Sequence, residues 1–190
     1  MEKVSKSLNI CVDIDGTMTE PYYFMPYFNQ YFGKDLQDED CTQVRLDKLY
    51  EVSREEMMAF YEKEGERMHK NAPMLPMVRD VFEELGQSHR LYIVTARLKE
   101  MEYVTLEWLE HHEMPGVEVH SLGSHYKVQR AKDLGCDVFI EDNPQISMEL
   151  AESGIQVLLM DTNYNKETKH ENITRVQNWE DIRRHIKNME

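Results

Sequence analysis

Hydrophobic and polar positions follow two rhythms along this chain. Five short runs, near residues 8–14, 90–96, 117–122, 137–141 and 155–160, are mostly unbroken apolar rather than alternating. Such runs predict parallel strands covered on both faces. Between them apolar residues recur at helical spacing. Val78, Val81, Phe82 and Leu85 follow the i, i+3, i+4, i+7 rule, with Pro76 near the start. Met101, Val104 and Trp108 form a stripe that stops at Met114-Pro115-Gly116, and Val128, Ala131 and Leu134 form another, ended by Gly135. Pro144 opens a fourth helix, with Asn143 placed to cap it and Gly154 to end it. Asn178-Trp179-Glu180-Asp181 starts a last one carrying Ile182 and Ile186. Strand–helix alternation of this kind predicts an α/β fold with a doubly wound parallel sheet.

Residues 18–73 break the alternation. They hold no convincing strand but an aromatic stretch running from Tyr22 to Phe32, then an acidic one around residues 35–40. A helix over 53–70 follows, opened by a capping box of Ser53 and Glu56. The pattern predicts a core of residues 1–17 and 74–190 with a helical insertion, 18–73, directly after the first strand. The polar stretch 161–171 reads as a surface loop.

Composition narrows the function. The 190 residues suffice for one core domain with an insertion. The net charge of −14 repels phosphate backbones and argues against a nucleic-acid polymer as partner. Small anionic substrates stay open if a metal and a few cations are concentrated locally. The three cysteines, Cys11, Cys41 and Cys136, show no metal-ligand spacing, and an odd count without a framework fits a reducing cytoplasm. No signal-peptide core or membrane-length apolar stretch is visible. A homo-oligomer is left open. His111-His112, near a helix end, reads as a solvated pair favoured by the helix dipole.

The first run, Leu8-Asn9-Ile10-Cys11-Val12, delivers Asp13-Ile14-Asp15-Gly16-Thr17. Burying unpaired carboxylates is costly. Taken alone, the motif reads equally as a turn capping a strand and as a site. The sheet decides, because ligands of open α/β sheets sit beyond the carboxyl ends of the strands. Asp13 and Asp15 end the first run, Thr95 the second, and Glu141-Asp142 the fourth. Lys127 starts the helix leading into that fourth run. Each has a plainer reading alone: a strand end, an acidic turn at a helix start, a solvated lysine. Together these residue types permit phosphoryl transfer. A carboxylate such as Asp13 can attack phosphorus, and an Asp two residues on can protonate the leaving alcohol and then activate water. Lysine is a point cation for the transferring group. The Thr95 hydroxyl and the backbone around Gly16 and Ala96 can donate to its oxygens. Gly16, Thr17, Ala96 and Arg97 are therefore the expected substrate-binding residues.

With these motifs the chain resembles the haloacid dehalogenase (HAD) superfamily of phosphatases. The resemblance runs from Asp13 to Asp142. It implies Asp13 as nucleophile, Asp15 as general acid/base, and Mg²⁺ held by the Asp13 carboxylate, the Asp15 backbone carbonyl and Asp142. It also implies a helical cap between the first two motifs. Within the superfamily the chain looks most like small 5′(3′)-deoxyribonucleotidases and related bacterial nucleotidases. That likeness rests on size, the short cap, and the segment Met160-Asp161-Thr162-Asn163-Tyr164-Asn165 after the late strand. It implies a nucleoside monophosphate substrate. Of Tyr22, Tyr23, Phe24, Tyr27, Phe28, Tyr31 and Phe32, most are expected to pack the cap, with one or two at most facing a base. A sugar phosphate or another small metabolite is the alternative substrate. A phospho-accepting signalling domain is the non-enzyme alternative, but its acceptor Asp ends the third strand and no insertion follows the first. A catalytically weak scaffold is disfavoured because every catalytic position is filled.

Overall fold

The apolar runs form one six-stranded sheet in the computed structural model, which describes residues 6–190. Its strands are β1 (Asn9–Val12), β2 (Arg90–Thr95), β3 (Glu118–Ser121), β4 (Val138–Glu141), β5 (Gln156–Met160) and β6 (Ile173–Val176). All neighbouring pairs are parallel, in the order β3-β2-β1-β4-β5-β6. The order reverses between β1 and β4, where Val12 pairs with both Ile93 and Ile140. That reversal opens a crevice at the carboxyl ends of β1 and β4.

Successive strand residues point to opposite faces, and both faces are covered. On one, Ile10, Val12, Ile93, Ile140 and Leu158 pack under α4 (Val78–Gly86), α5 (Glu102–His111) and α8 (Trp179–Met189). On the other, Cys11, Val94, Phe139 and Val157 pack under α6 (Val128–Asp133) and α7 (Pro144–Glu152). Two-sided burial explains why these strands read as unbroken apolar runs. The sixth strand lies outside the five runs. It is an edge strand of sequence Ile-Thr-Arg-Val with only Val176 fully buried, so it carries no such run.

Local chemistry sets the helix starts. Asn143 accepts from the N–H groups of Gln145 and Ile146, and Asn178 from that of Asp181. The fourth helix starts differently. Met77, with φ of 68°, precedes Val78, and no side chain caps it.

Residues 20–73 leave the sheet and return at one point. Thr19 bridges Met74, the Glu20 N–H donates to the Pro73 carbonyl at 2.9 Å, and the Leu75 N–H donates to that of Met18. Two buried indoles pin this neck, Trp179 on the Thr17 carbonyl and Trp108 on that of Ala72. Beyond it lie α1 (Met25–Phe32), α2 (Leu46–Leu49) and α3 (Arg54–Lys70), with short 3-10 turns at Asp38–Asp40 and, back in the core, Lys99–Met101. The capping box of α3 is formed: Ser53 Oγ accepts from the Glu56 N–H, and the Glu56 carboxylate accepts from the Ser53 N–H. These helices bury their own cluster around Phe28, Tyr50, Phe60 and Met68. No helix among the described residues is long and apolar enough to cross a membrane.

Candidate active site

The Asp13 N–H still donates to the Ile140 carbonyl at 3.0 Å, so its carboxylate leaves the sheet at the β1–β4 crevice. The chain then folds tightly. The N–H groups of Thr17, Met18 and Thr19 all point at the Ile14 carbonyl. Gly16 makes this turn with φ of +85°, and a Cβ there would lie 2.7 Å from Asp142 Cγ and 2.8 Å from the Tyr164 hydroxyl. Glycine is thus required twice, for the left-handed backbone and for the close approach.

Lys127, at the start of α6, is 1% exposed. Its ammonium donates to Asp13 Oδ1 at 2.5 Å and to Glu141 Oε2 at 2.9 Å. The other Glu141 oxygen accepts from the N–H groups of Asp142 and Asn143. Glu141 is therefore a strut that aims Lys127 and fixes the turn into α7. Asp142 beside it accepts from the Thr17 hydroxyl at 3.4 Å and from the Tyr164 hydroxyl.

Asp15 belongs to a second group. Arg97 grips it with both ends of its fork, Nε to Oδ2 at 2.8 Å and NH2 to Oδ1 at 2.6 Å. Thr95, buried at the end of β2, accepts from the Arg97 N–H, and Arg97 NH1 reaches Thr105. Tyr23 donates to Asp15 Oδ1 and shares a 2.7 Å bond with His69 Nδ1. Since the single Tyr23 proton goes to Asp15, His69 must donate from Nδ1 to the phenol oxygen. Ala96 is half-buried between Thr95 and Arg97.

The electrostatics differ between the groups. Burial pushes the Asp13 carboxyl up to about 7, against the pull of Lys127 and with Glu141 and Asp15 adding to it. Burial, then Glu141 and Asp13, push Asp142 well above the usual carboxylate range. Burial works against the Lys127 ammonium too, but Asp13 and Glu141 outweigh it and raise its pKa. Burial also pushes Asp15 up, yet the charge of Arg97 and the bonds from Arg97 and Tyr23 hold it well below the ordinary value. Asp15 is thus ionised in this arrangement.

Oxygens of Asp13, Glu141 and Asp142 lie within 4.8 Å of one another. Three buried carboxylates around one ammonium leave a surplus of negative charge, which a divalent cation would balance. The all-oxygen donor set suits a hard cation such as Mg²⁺. Glu141 already accepts three hydrogen bonds, against two for Asp142 and one for Asp13, so Asp13 and Asp142 are the side chains with most capacity left for it.

Four residues contribute to the site without a role assigned from sequence, two of them, Tyr164 and Asn165, within the segment that carries the family likeness. Tyr23 was one ring among seven, and His69 one of eight histidines. Tyr164 and Asn165 lie in the stretch read as a surface loop, and that reading is corrected here. Thr162 and Asn165 are buried, and Asn165 donates to the carbonyls of Asp142 and Met160 at 2.7 Å each. The signal available was a Tyr-Asn pair among polar residues just past a strand end. The strand before it, β5, is also not the last of the sheet, because β6 follows.

Residues 6–189 match the family model described as 5′ nucleotidase, deoxy (pyrimidine), cytosolic type C protein. A nucleotidase of Clostridium acetobutylicum is 38% identical over 177 residues, spanning 93% of this chain and 92% of that one. A relative from Halalkalibacterium halodurans is 34% identical over 177 residues, 93% and 91% of the two chains. Among solved structures, a haloacid dehalogenase-like hydrolase from Streptococcus pneumoniae superposes with a TM-score of 0.70 at 17% identity, covering 94% of this chain and 98% of that one. A HAD hydrolase from Entamoeba histolytica gives 0.63 at 12% identity, covering 95% and 100%. At those identities the structures speak for the fold, which is that of HAD hydrolases.

Proposed function

The chain belongs to the cytosolic type C 5′ nucleotidase family and is a phosphoric monoester hydrolase; on that premise we propose that it hydrolyses nucleoside monophosphates through an aspartyl-phosphate on Asp13, with Mg²⁺ as cofactor. The observation that carries this reading is the buried cluster at the β1–β4 crevice: Asp13 and Asp142 with one lysine between Asp13 and Glu141.

Lys127 occupies one Asp13 oxygen and leaves the other to attack phosphorus. Two of the three ammonium N–H bonds are used among the described residues, so a third can meet a phosphoryl oxygen as charge develops. As the Asp13–phosphorus bond forms, the ester P–O bond breaks and Asp15 gives its proton to the departing alcohol. Asp15 then takes a proton from water, whose oxygen attacks phosphorus, releasing phosphate and regenerating Asp13. For the first of these steps Asp15 must hold a proton, so the Arg97 fork must loosen when substrate enters. Thr95 and the Gly16-Thr17 and Ala96-Arg97 segments are assigned to the phosphate. Asp13, Asp142 and the Asp15 carbonyl would hold Mg²⁺, which offsets repulsion between the anionic nucleophile and the anionic phosphate.

Residues 18–73 are assigned as a cap over a core of 1–17 and 74–190, because chain entry and exit coincide at Thr19 and Met74. Tyr23 and His69 bring that segment onto Asp15, so a leaving group protonated by Asp15 would lie against it. A cytoplasmic location fits the three free cysteines. The test is phosphate release by the purified protein from all common ribo- and deoxynucleoside monophosphates against a panel of sugar phosphates, in Mg²⁺ and in EDTA. Nucleotide hydrolysis lost in EDTA and restored by Mg²⁺ is expected. Preference for a sugar phosphate with nucleotides inert would reject the substrate, and full turnover without metal would reject the cofactor.

A further inference from the structure

Three consecutive residues after β5 reach three different places. Asn165, 1% exposed, holds the Asp142 backbone through its carbonyl. Tyr164 donates its hydroxyl to Asp142 Oδ2, in the space that Gly16 leaves by lacking a Cβ. The Asn163 N–H donates to the Tyr22 hydroxyl at 2.8 Å, and its side-chain amide to the Asp38 carbonyl at 2.9 Å. The Tyr22 and Tyr164 rings meet edge to face, 6.1 Å between centroids. Tyr22 and Asp38 both belong to the helical insertion. One loop therefore fixes the backbone and the carboxylate of Asp142 while gripping the segment across the crevice.

A carboxylate oxygen has two acceptor positions, so Asp142 can accept from Tyr164 and still face a cation. Without that donor the carboxylate could turn about its last torsion, which has broad minima. Groups that bond to a metal ligand in this way fix its orientation and its affinity. We propose that Tyr164 is a positioning residue that aims the Asp142 carboxylate at the divalent cation, and that Asn163 couples this cation affinity to the seating of the cap. The proposal rests on the reading of Asp142 as a metal ligand. Coupling between two sites is reciprocal, so loosening the cap contact must weaken the cation and the cation must tighten the contact.

The test is calorimetric titration of the full chain with Mg²⁺ alone, without substrate, beside thermal melting in EDTA. Tyr164→Phe keeps the ring and loses only the hydroxyl, so its melting in EDTA should stay near wild type. Its Mg²⁺ affinity should fall about 10- to 100-fold. Tyr22→Phe, which removes the acceptor for the Asn163 N–H, should weaken Mg²⁺ by about fivefold or more. Asp142→Asn serves as the reference and should abolish binding. If Asp142→Asn abolishes binding but Tyr164→Phe binds like wild type, the role of Tyr164 is overturned while the metal reading stands. Wild-type affinity in Tyr22→Phe overturns the link to the cap. Wild-type affinity in Asp142→Asn overturns the metal reading and this proposal with it.

Discussion

The carboxyl edge of the sheet and the helical insertion solve burial in opposite ways. At the edge Asp13, Lys127, Glu141 and Asp142 are all buried and their charges face one another. In the insertion Phe28, Tyr50 and Phe60 are buried, with Phe28 and Phe60 centroids 4.0 Å apart, while Asp35, Asp38, Glu39 and Asp40 stay in water. An aromatic cluster gains from area and ring geometry and needs no charged partner. A buried charge cluster is stable only when every partner is present, and it leaves a demand for positive charge that a ligand can meet. Substitutions at the edge should therefore reach turnover first, and substitutions among the rings should reach local stability first.

The largest expected effect is at Asp13. Asp13→Asn should fold and lose several orders of magnitude in kcat, because no other group can form the covalent intermediate. Near-native turnover in a stopped phosphate-release assay would show that Asp13 is not the nucleophile. Lys127→Ala should lower kcat by about 10²–10³-fold, more than it raises KM, since its charge acts on the transition state. It should also cost about 3–5 kcal/mol in chemical denaturation, because Asp13 and Glu141 are left buried without their cation. An unchanged kcat would assign the cation's work elsewhere.

Phe60→Ala probes the other region. It should cost about 3–5 kcal/mol locally. Amide exchange should quicken in α1 and α3 while β1 and β4 keep their protection. Uniform loss of protection would mean that the two regions melt as one.

His69, where the regions meet, carries the smallest effect. Burial, then the Arg97 charge, lower its pKa from 6.5 to about 4, with Asp15 opposing. The unfolded chain therefore binds the proton more readily than the folded one. The stability tied to neutral His69 is full above about pH 6.5 and is lost as the pH falls toward 4. Denaturation curves should show wild type losing about 2 kcal/mol more than His69→Gln between pH 7 and pH 5. Parallel curves for the two proteins would contradict the burial of His69 against Asp15.

These differences also account for what the sequence made legible. β1, β2, β4 and β5 stood out because burial on both faces demands apolar residues without alternation, as in Ile10-Cys11-Val12. β6 did not, because an edge strand can carry Thr174 and Arg175. Caps such as Ser53, Asn143 and Asn178 are local signals and need no fold to be read. Asp13, Lys127 and Asp142 could be placed on one edge because the strand-end rule needs only the order of elements. Tyr164, Tyr23 and His69 could not be assigned. Each meets its carboxylate across 22, 8 and 54 residues of chain through a loop or helix whose path no local pattern fixes.

If Asp13 is the nucleophile, its covalent bond to phosphorus can be trapped. The protein is mixed with a hydrolysed nucleoside monophosphate and Mg²⁺, quenched in acid within one turnover, reduced with borohydride and mapped by peptide mass spectrometry. An acyl-phosphate is reduced to an alcohol, so Asp13 alone should be converted to homoserine, and only when substrate and Mg²⁺ are both present. Conversion at another carboxylate, or an unmodified Asp13 under conditions of full turnover, would contradict the account.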